Sequence, residues 1–75
     1  MQVRVKLMGV FKPKTPAGGI LDISDGATVE SALNELDIPV QRVQVVTING
    51  TFERDYSRAL EPDDELTVLA PVGGG

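Results

Sequence analysis

The sequence predicts an α+β domain in which a mixed sheet of four to five strands is covered by one main helix. Three observations lead there. Stretches near both ends of the chain alternate apolar and polar residues with the period of a strand. One stretch between them carries apolar residues at helical spacing. With 75 residues the chain has room for a single small core, so these elements must pack on one another.

Val3, Val5 and Leu7 alternate with Gln2, Arg4 and Lys6, so residues 2–8 read as a strand with one buried face, and Phe11 is a candidate extension of it. Lys12-Pro13-Lys14-Thr15-Pro16-Ala17-Gly18-Gly19 breaks the pattern with two prolines and two glycines and reads as a loop. Ile20–Ile23 is a second short strand closing a hairpin with the first, and Ser24-Asp25-Gly26 has turn chemistry.

Thr28 is suited to cap a helix, because its hydroxyl can accept from an otherwise unsatisfied amide of the first turn. Glu30 then stands near the positive end of the helix dipole. Val29, Ala32, Leu33 and Leu36 follow at i, i+3, i+4 and i+7, and Pro39 disfavours helical geometry at Ile38, so the helix is expected at about residues 28–37. The β-branched run 43–48 is the next strand. Asn49-Gly50 favours the type I′ turn whose twist suits a hairpin, with Thr51-Phe52 as the return strand. Residues 53–60 read as a polar connection with Tyr56 and Leu60 tucked inward. Glu61-Pro62-Asp63-Asp64 is a turn, and alternation resumes for a last strand at about 65–70. The β-grasp fits this order in so few residues, with the first and last strands adjacent at the sheet centre. Residues 1–70 are thus read as the domain and 71–75 as a flexible, reactive C-terminal tail.

Composition narrows the function. The chain has no cysteine and no histidine. Thiol nucleophiles, disulfides, thiolate or imidazole metal sites and histidine general bases are all removed. The serines, threonines and Tyr56 have no histidine to activate them, so an autonomous enzyme is not expected. A formal charge of −4 repels phosphate backbones, which argues against nucleic acid and suits a basic groove on a protein partner. No apolar run approaches the length of a membrane span, and the opening residues do not resemble a signal peptide, so a cytoplasmic location is expected.

The chain ends Pro71-Val72-Gly73-Gly74-Gly75. At a background glycine frequency of ~7%, three terminal glycines arise by chance in roughly 3 of 10,000 chains. A linker stub is the plain alternative. The functional reading is physical. A carboxylate that must enter another enzyme's nucleotide site needs a slender leash, and glycine lets the backbone lie close to narrow walls. The carboxylate of Gly75 is the reacting group, with Gly73 and Gly74 as leash. Converted to an acyl-adenylate it gains a good leaving group, and a sulfur nucleophile then yields a thiocarboxylate.

Three stretches resemble the ThiS/MoaD family of ubiquitin-like sulfur carriers. Gly26-Ala27-Thr28-Val29 followed by Ala32-Leu33 is similar to that family's turn into its single helix. Thr47-Ile48-Asn49-Gly50-Thr51 is similar to its valine/isoleucine-Asn-Gly hairpin. Leu60-Glu61-Pro62-Asp63-Asp64-Glu65-Leu66 leading to Ala70-Pro71-Val72-Gly73-Gly74-Gly75 is similar to its Leu-x-x-Gly-Asp-x-Val … Pro-Val-x-Gly-Gly ending. Asp63 stands where the family usually has glycine, a tolerable change provided that turn does not need positive φ. The loop before Gly19 is closer to the molybdopterin-pathway type, the Val-Gly-Gly-Gly ending to the thiazole-pathway type, and the pathway stays open.

The resemblance implies that Gly75 is activated by an ATP-using adenylyltransferase related to the ubiquitin-activating enzymes, with no cofactor bound by the carrier itself. A sulfurtransferase or persulfide would supply sulfur. Thiazole synthase or the molybdopterin synthase large subunit would accept it. Phe52 and Val72 are candidates for an apolar docking patch, with Phe52 equally suited to the core. Asp63 and Asp64 are read chiefly as a solvated turn, with docking to a basic groove as the functional alternative, and no metal is expected there. Two other functions stay open: a protein modifier conjugated through the same Gly75, and a β-grasp interaction module with an inert tail.

Overall fold

A computed structural model describes residues 1–69. The elements run β1 (Gln2–Leu7), β2 (Ile20–Asp22), α1 (Val29–Glu35), β3 (Val45–Ile48), β4 (Thr51–Phe52) and β5 (Glu65–Leu69). The sheet order is β2-β1-β5-β3-β4. β1 and β5 are parallel neighbours at its centre, with Val5 opposite Leu66 and Leu7 opposite Val68. β2 is antiparallel to β1, and β3 is antiparallel to both β5 and β4. The mixed five-stranded sheet and single main helix are the expected β-grasp.

Alternation decides which face is buried. Val3, Val5, Leu7, Val46, Ile48, Leu66 and Val68 point to one side and are buried against Val29, Ala32, Leu33 and Leu36 of the helix stripe. Each valine, leucine or isoleucine among them contributes roughly 1.5–3 kcal/mol on burial. Tyr56 packs at the margin of this core and Leu60 lies inside it.

The helix is held at both ends by identifiable bonds. The Thr28 hydroxyl accepts from the Ser31 amide at 3.1 Å. The Val29 and Glu30 amides donate to the carbonyls of Arg58 (3.0 Å) and Tyr56 (2.9 Å). The polar connection therefore satisfies the first-turn amides that a helix always leaves over. At the other end Asp37 takes φ 60°. Its amide donates to the Asn34 carbonyl, and the Ile38 amide donates to that of Leu33. These two bonds make a Schellman ending, with buried Ile38 returning to the core beside Leu33.

Several boundaries differ from the sequence expectation. β1 stops at Leu7 rather than residue 8, and Phe11 does not extend it. Gly9, with φ 65°, turns the chain into a 3-10 turn over Gly9–Lys14, from which Phe11 drops back into the core. Part of the anticipated loop is thus 3-10 structure, and Ala17–Gly19 forms a second such turn. The helix is shorter than 28–37, because Thr28 is its cap and Asp37 is left-handed. The strand expected from 43 begins at Val45, since Val40–Arg42 makes a further 3-10 turn. Among the described residues, no helix is long and apolar enough to cross a membrane.

Candidate functional site

Among the described residues, no helix covers the face of the sheet opposite α1. The register fixes its rows. Lys6, Thr67, Thr47 and Phe52 line up across β1, β5, β3 and β4. Val45 and Leu69 are paired one step further along, where β5 leads toward the C-terminus. Phe52 is 75% exposed, which decides between its two sequence readings: it is surface, not core. A cleft of about 290 Å³ beside it is lined by Val45, Arg54 and Tyr56 among others. Arg4 and Lys6 stand exposed on the same face. Glu65 is paired with Arg4 on that face, and Arg54 lines the cleft next to Phe52, so the face carries charges of both signs.

The turn before β5 is built differently from the expectation of a solvated acidic run. Asp63 is exposed, but Asp64 is buried at 7% exposure. The Asp64 carboxylate accepts from the Asn49 side-chain amide (2.9 Å) through Oδ1 and from the Glu61 backbone amide (2.8 Å) through Oδ2. Asn49 completes the link by accepting from the Glu65 amide at 2.9 Å. Buried carboxylates persist where hydrogen bonds of this kind meet them. Asp64 thus ties the β3–β4 hairpin to the start of β5, and its oxygens are turned inward rather than offered for docking. Sequence reading missed this bond because its partner lies 15 residues away. The hint available was an Asn-Gly turn whose asparagine side chain carries a donor and an acceptor that the turn itself does not use. Asn49 (φ 53°) and Gly50 (φ 85°) both have the positive φ that the type I′ turn requires.

Asp63 has φ 66°, and the Asp64 amide donates to the Glu61 carbonyl across it. Pro62 followed by a left-handed residue is the pattern of a type II turn. The turn does need positive φ, so the aspartate is strained where glycine would not be. Asp63→Gly is therefore expected to stabilise the fold by about 0.5–1 kcal/mol. Urea unfolding would show this as a higher midpoint at unchanged slope. A lower midpoint would mean that the aspartate side chain contributes something the backbone geometry does not reveal.

The remaining polar surface has ordinary roles. Asp55 accepts from the Ser57 hydroxyl and amide. The Ser57 hydroxyl first, and its amide second, hold the Asp55 carboxyl below its usual range. A lowered folded-state value gives stability present above the ordinary carboxylate pKa and lost as pH falls through the depressed one. Asp55 is fully exposed, so that contribution is small. Among the described residues, no group of three or more carboxylates is placed to hold a metal ion. Val72, Gly73, Gly74 and Gly75 lie outside the described residues, as does Ala70 at the margin of the predicted domain.

Fold and surface together define a small ubiquitin-like β-grasp protein, with its open sheet face at the root of the C-terminal segment. The chain belongs to the ThiS family, whose model matches residues 5–75. That match agrees with the resemblance carried by the Asn49-Gly50 hairpin and the glycine ending. No curated protein matches the chain. Among solved structures it is similar to SAMP1 from Haloferax volcanii, with TM-score 0.74 and 23% identity over the whole of both chains. A second structure, of H. volcanii small archaeal modifier protein 1, gives TM-score 0.72 and 22% identity, covering 95% of this chain and 98% of that one. The complex of subunits 1 and 2 of molybdopterin-converting factor from Helicobacter pylori is matched at TM-score 0.63 and 18% identity over the whole of both chains. At these identities the likenesses establish the fold.

Proposed function

We propose that the protein is a sulfur carrier. Its Gly75 carboxylate is adenylated by a partner enzyme using ATP, and a sulfur nucleophile displaces AMP to leave a terminal thiocarboxylate that donates sulfur in cofactor biosynthesis. The observation that carries this reading is the extent of the ThiS family match, which runs through the glycine tail to Gly75. The absence of cysteine and histidine from the whole sequence supports it, since a co-substrate needs neither a nucleophile nor a base of its own.

Docking uses the open sheet face, with Phe52 as anchor on β4, Arg4 and Lys6 on β1 beyond β3 and β5, and Val72 as a further apolar candidate. A large exposed aromatic side chain ringed by polar groups is the usual composition of an interface centre. The acceptor is an enzyme of the thiazole synthase or molybdopterin synthase kind. The complex form of the H. pylori neighbour supports a partner subunit in general.

A second reading has a specific observation behind it. The two H. volcanii neighbours include a protein named a modifier, and the same activated carboxylate could form an isopeptide bond. Incubation with the adenylating enzyme and ATP, followed by trapping with hydroxylamine, is expected to give the hydroxamate of Gly75 under either reading. No trapping with an enzyme proven active on its own carrier would remove both. Glycine remnants on cellular lysines that depend on this chain would favour the modifier.

A further inference from the structure

Asn49 and Gly50 form the tip of the β3–β4 hairpin, and both are exposed. Nothing screens the glycine: a Cβ added at Gly50 would meet no atom within 4 Å. An asparagine amide followed by an unscreened backbone nitrogen is a reactive pair. Attack of that nitrogen on the side-chain carbonyl carbon closes a five-membered ring within one molecule, with no partner to recruit. The other asparagine, Asn34, is followed by Glu35 inside α1, where a helix engages its backbone nitrogens in the regular ladder.

The tip is tied down by its own side chain. Asn49 Nδ2 donates to Asp64 Oδ1 at 2.9 Å, and Asn49 Oδ1 accepts from the Glu65 amide at 2.9 Å. Both polar ends of the reactive amide are therefore held on the turn before β5. The holder is itself fixed. Asp64 is 7% exposed, and its Oδ2 accepts from the Glu61 amide at 2.8 Å.

We propose that Asn49-Gly50 is a site of spontaneous deamidation and that Asp64 restrains it. The Gly50 nitrogen adds to Asn49 Cγ and a C–N bond forms. The Cγ–Nδ2 bond breaks, the Gly50 amide proton passes through water to the departing nitrogen, and ammonia leaves. Water then opens the succinimide ring at either carbonyl, to give aspartate or isoaspartate. Nothing is oxidised or reduced. The restraint acts because Nδ2 must leave Asp64 before Cγ can meet the Gly50 nitrogen. The product matters to the fold. Aspartate at this position sets a carboxylate against that of Asp64 where a donor stood, and isoaspartate adds a methylene to the backbone of the turn. In either case the hairpin loses its tie to β5, so the modification removes the bond that slowed it.

Incubation of the full chain in mild alkali, followed by peptide mass spectrometry, tests this. Each deamidation raises the mass by the difference between water and ammonia. The expected modified residue is Asn49, at a rate at least about tenfold lower in the folded chain than in urea. Asp64→Ala, kept below its melting transition, should raise the folded-state rate about tenfold. Asp64→Asn, which offers one acceptor to two donors, should raise it less. Val68→Ala is the control, because it loosens the core without removing the Asn49–Asp64 bond, and it should leave the rate near that of the unmodified sequence. All three variants are first shown to be folded by circular dichroism. Equal acceleration by Val68→Ala would place the gate at global unfolding. That result, an unchanged rate in Asp64→Ala, or modification mapped to Asn34 would overturn the assignment.

Discussion

Deletion of Gly75 is expected to lower thiocarboxylate formation by about a hundredfold or more while leaving the urea unfolding curve unchanged. The loss follows from position. The shortened chain still ends in a glycine carboxylate, but that carboxylate falls about 3.3 Å short of its place in the partner's nucleotide site. Misplacement of a reacting group by as little as an ångström costs on the order of a hundredfold. The fold should be indifferent, because Gly75 has no side chain to bury and every buried apolar side chain among the described residues lies between Val3 and Val68. Converting the Gly75 carboxylate to a carboxamide is the sharper form of the experiment, since it keeps length and removes the nucleophilic oxygen that attacks ATP. Unchanged sulfur transfer in the carboxamide would mean that the tail is inert and the open sheet face is the working part.

The second large effect is on stability. Asp64→Ala is expected to cost about 3 kcal/mol, because it strands the Asn49 side-chain amide and the Glu61 backbone amide in a partly buried place. A domain of this size has roughly 4–11 kcal/mol in all. The melting temperature should therefore fall by about 10–20 °C. Asn49→Ala should be costly as well, and the double variant should cost at least ~1 kcal/mol less than the sum, because both residues belong to one network. Strict additivity would show that the two side chains act separately. Asp63→Ala, one residue earlier, should not share this coupling, since its side chain is exposed.

How far these features could be read from sequence depended on the range of the interaction. The Thr28 cap and the Asn49-Gly50 hairpin were legible because each is settled within a few residues by backbone chemistry. The helix stripe and the buried faces of β1 and β5 were legible as periodicity. The parallel pairing of β1 with β5 joins the two ends of the chain, and only the element order pointed to it. The burial of Asp64 was not legible at all. Pro-Asp-Asp reads as a solvated turn, and the bond that buries one aspartate comes from a hairpin 15 residues away. The positive φ of Asp63 was half-visible in the preceding proline. The 3-10 turn carrying Phe11 was hidden by its prolines and lysines, which read as a loop even though one ring within it belongs to the core. As for the candidate site, Phe52 was open to both a core and a surface reading, and its exposure required knowing that β4 pairs Phe52 with Thr47 on the open face.

A carrier that works through the carboxylate of Gly75 must take up sulfur at that carboxylate. The most direct measurement is the intact mass of the protein after incubation with the adenylating enzyme, ATP and a sulfur donor. One oxygen exchanged for one sulfur, on the C-terminal peptide and dependent on ATP, is the predicted result. An unchanged mass, obtained with an enzyme that thiocarboxylates its own carrier in the same tube, would contradict it.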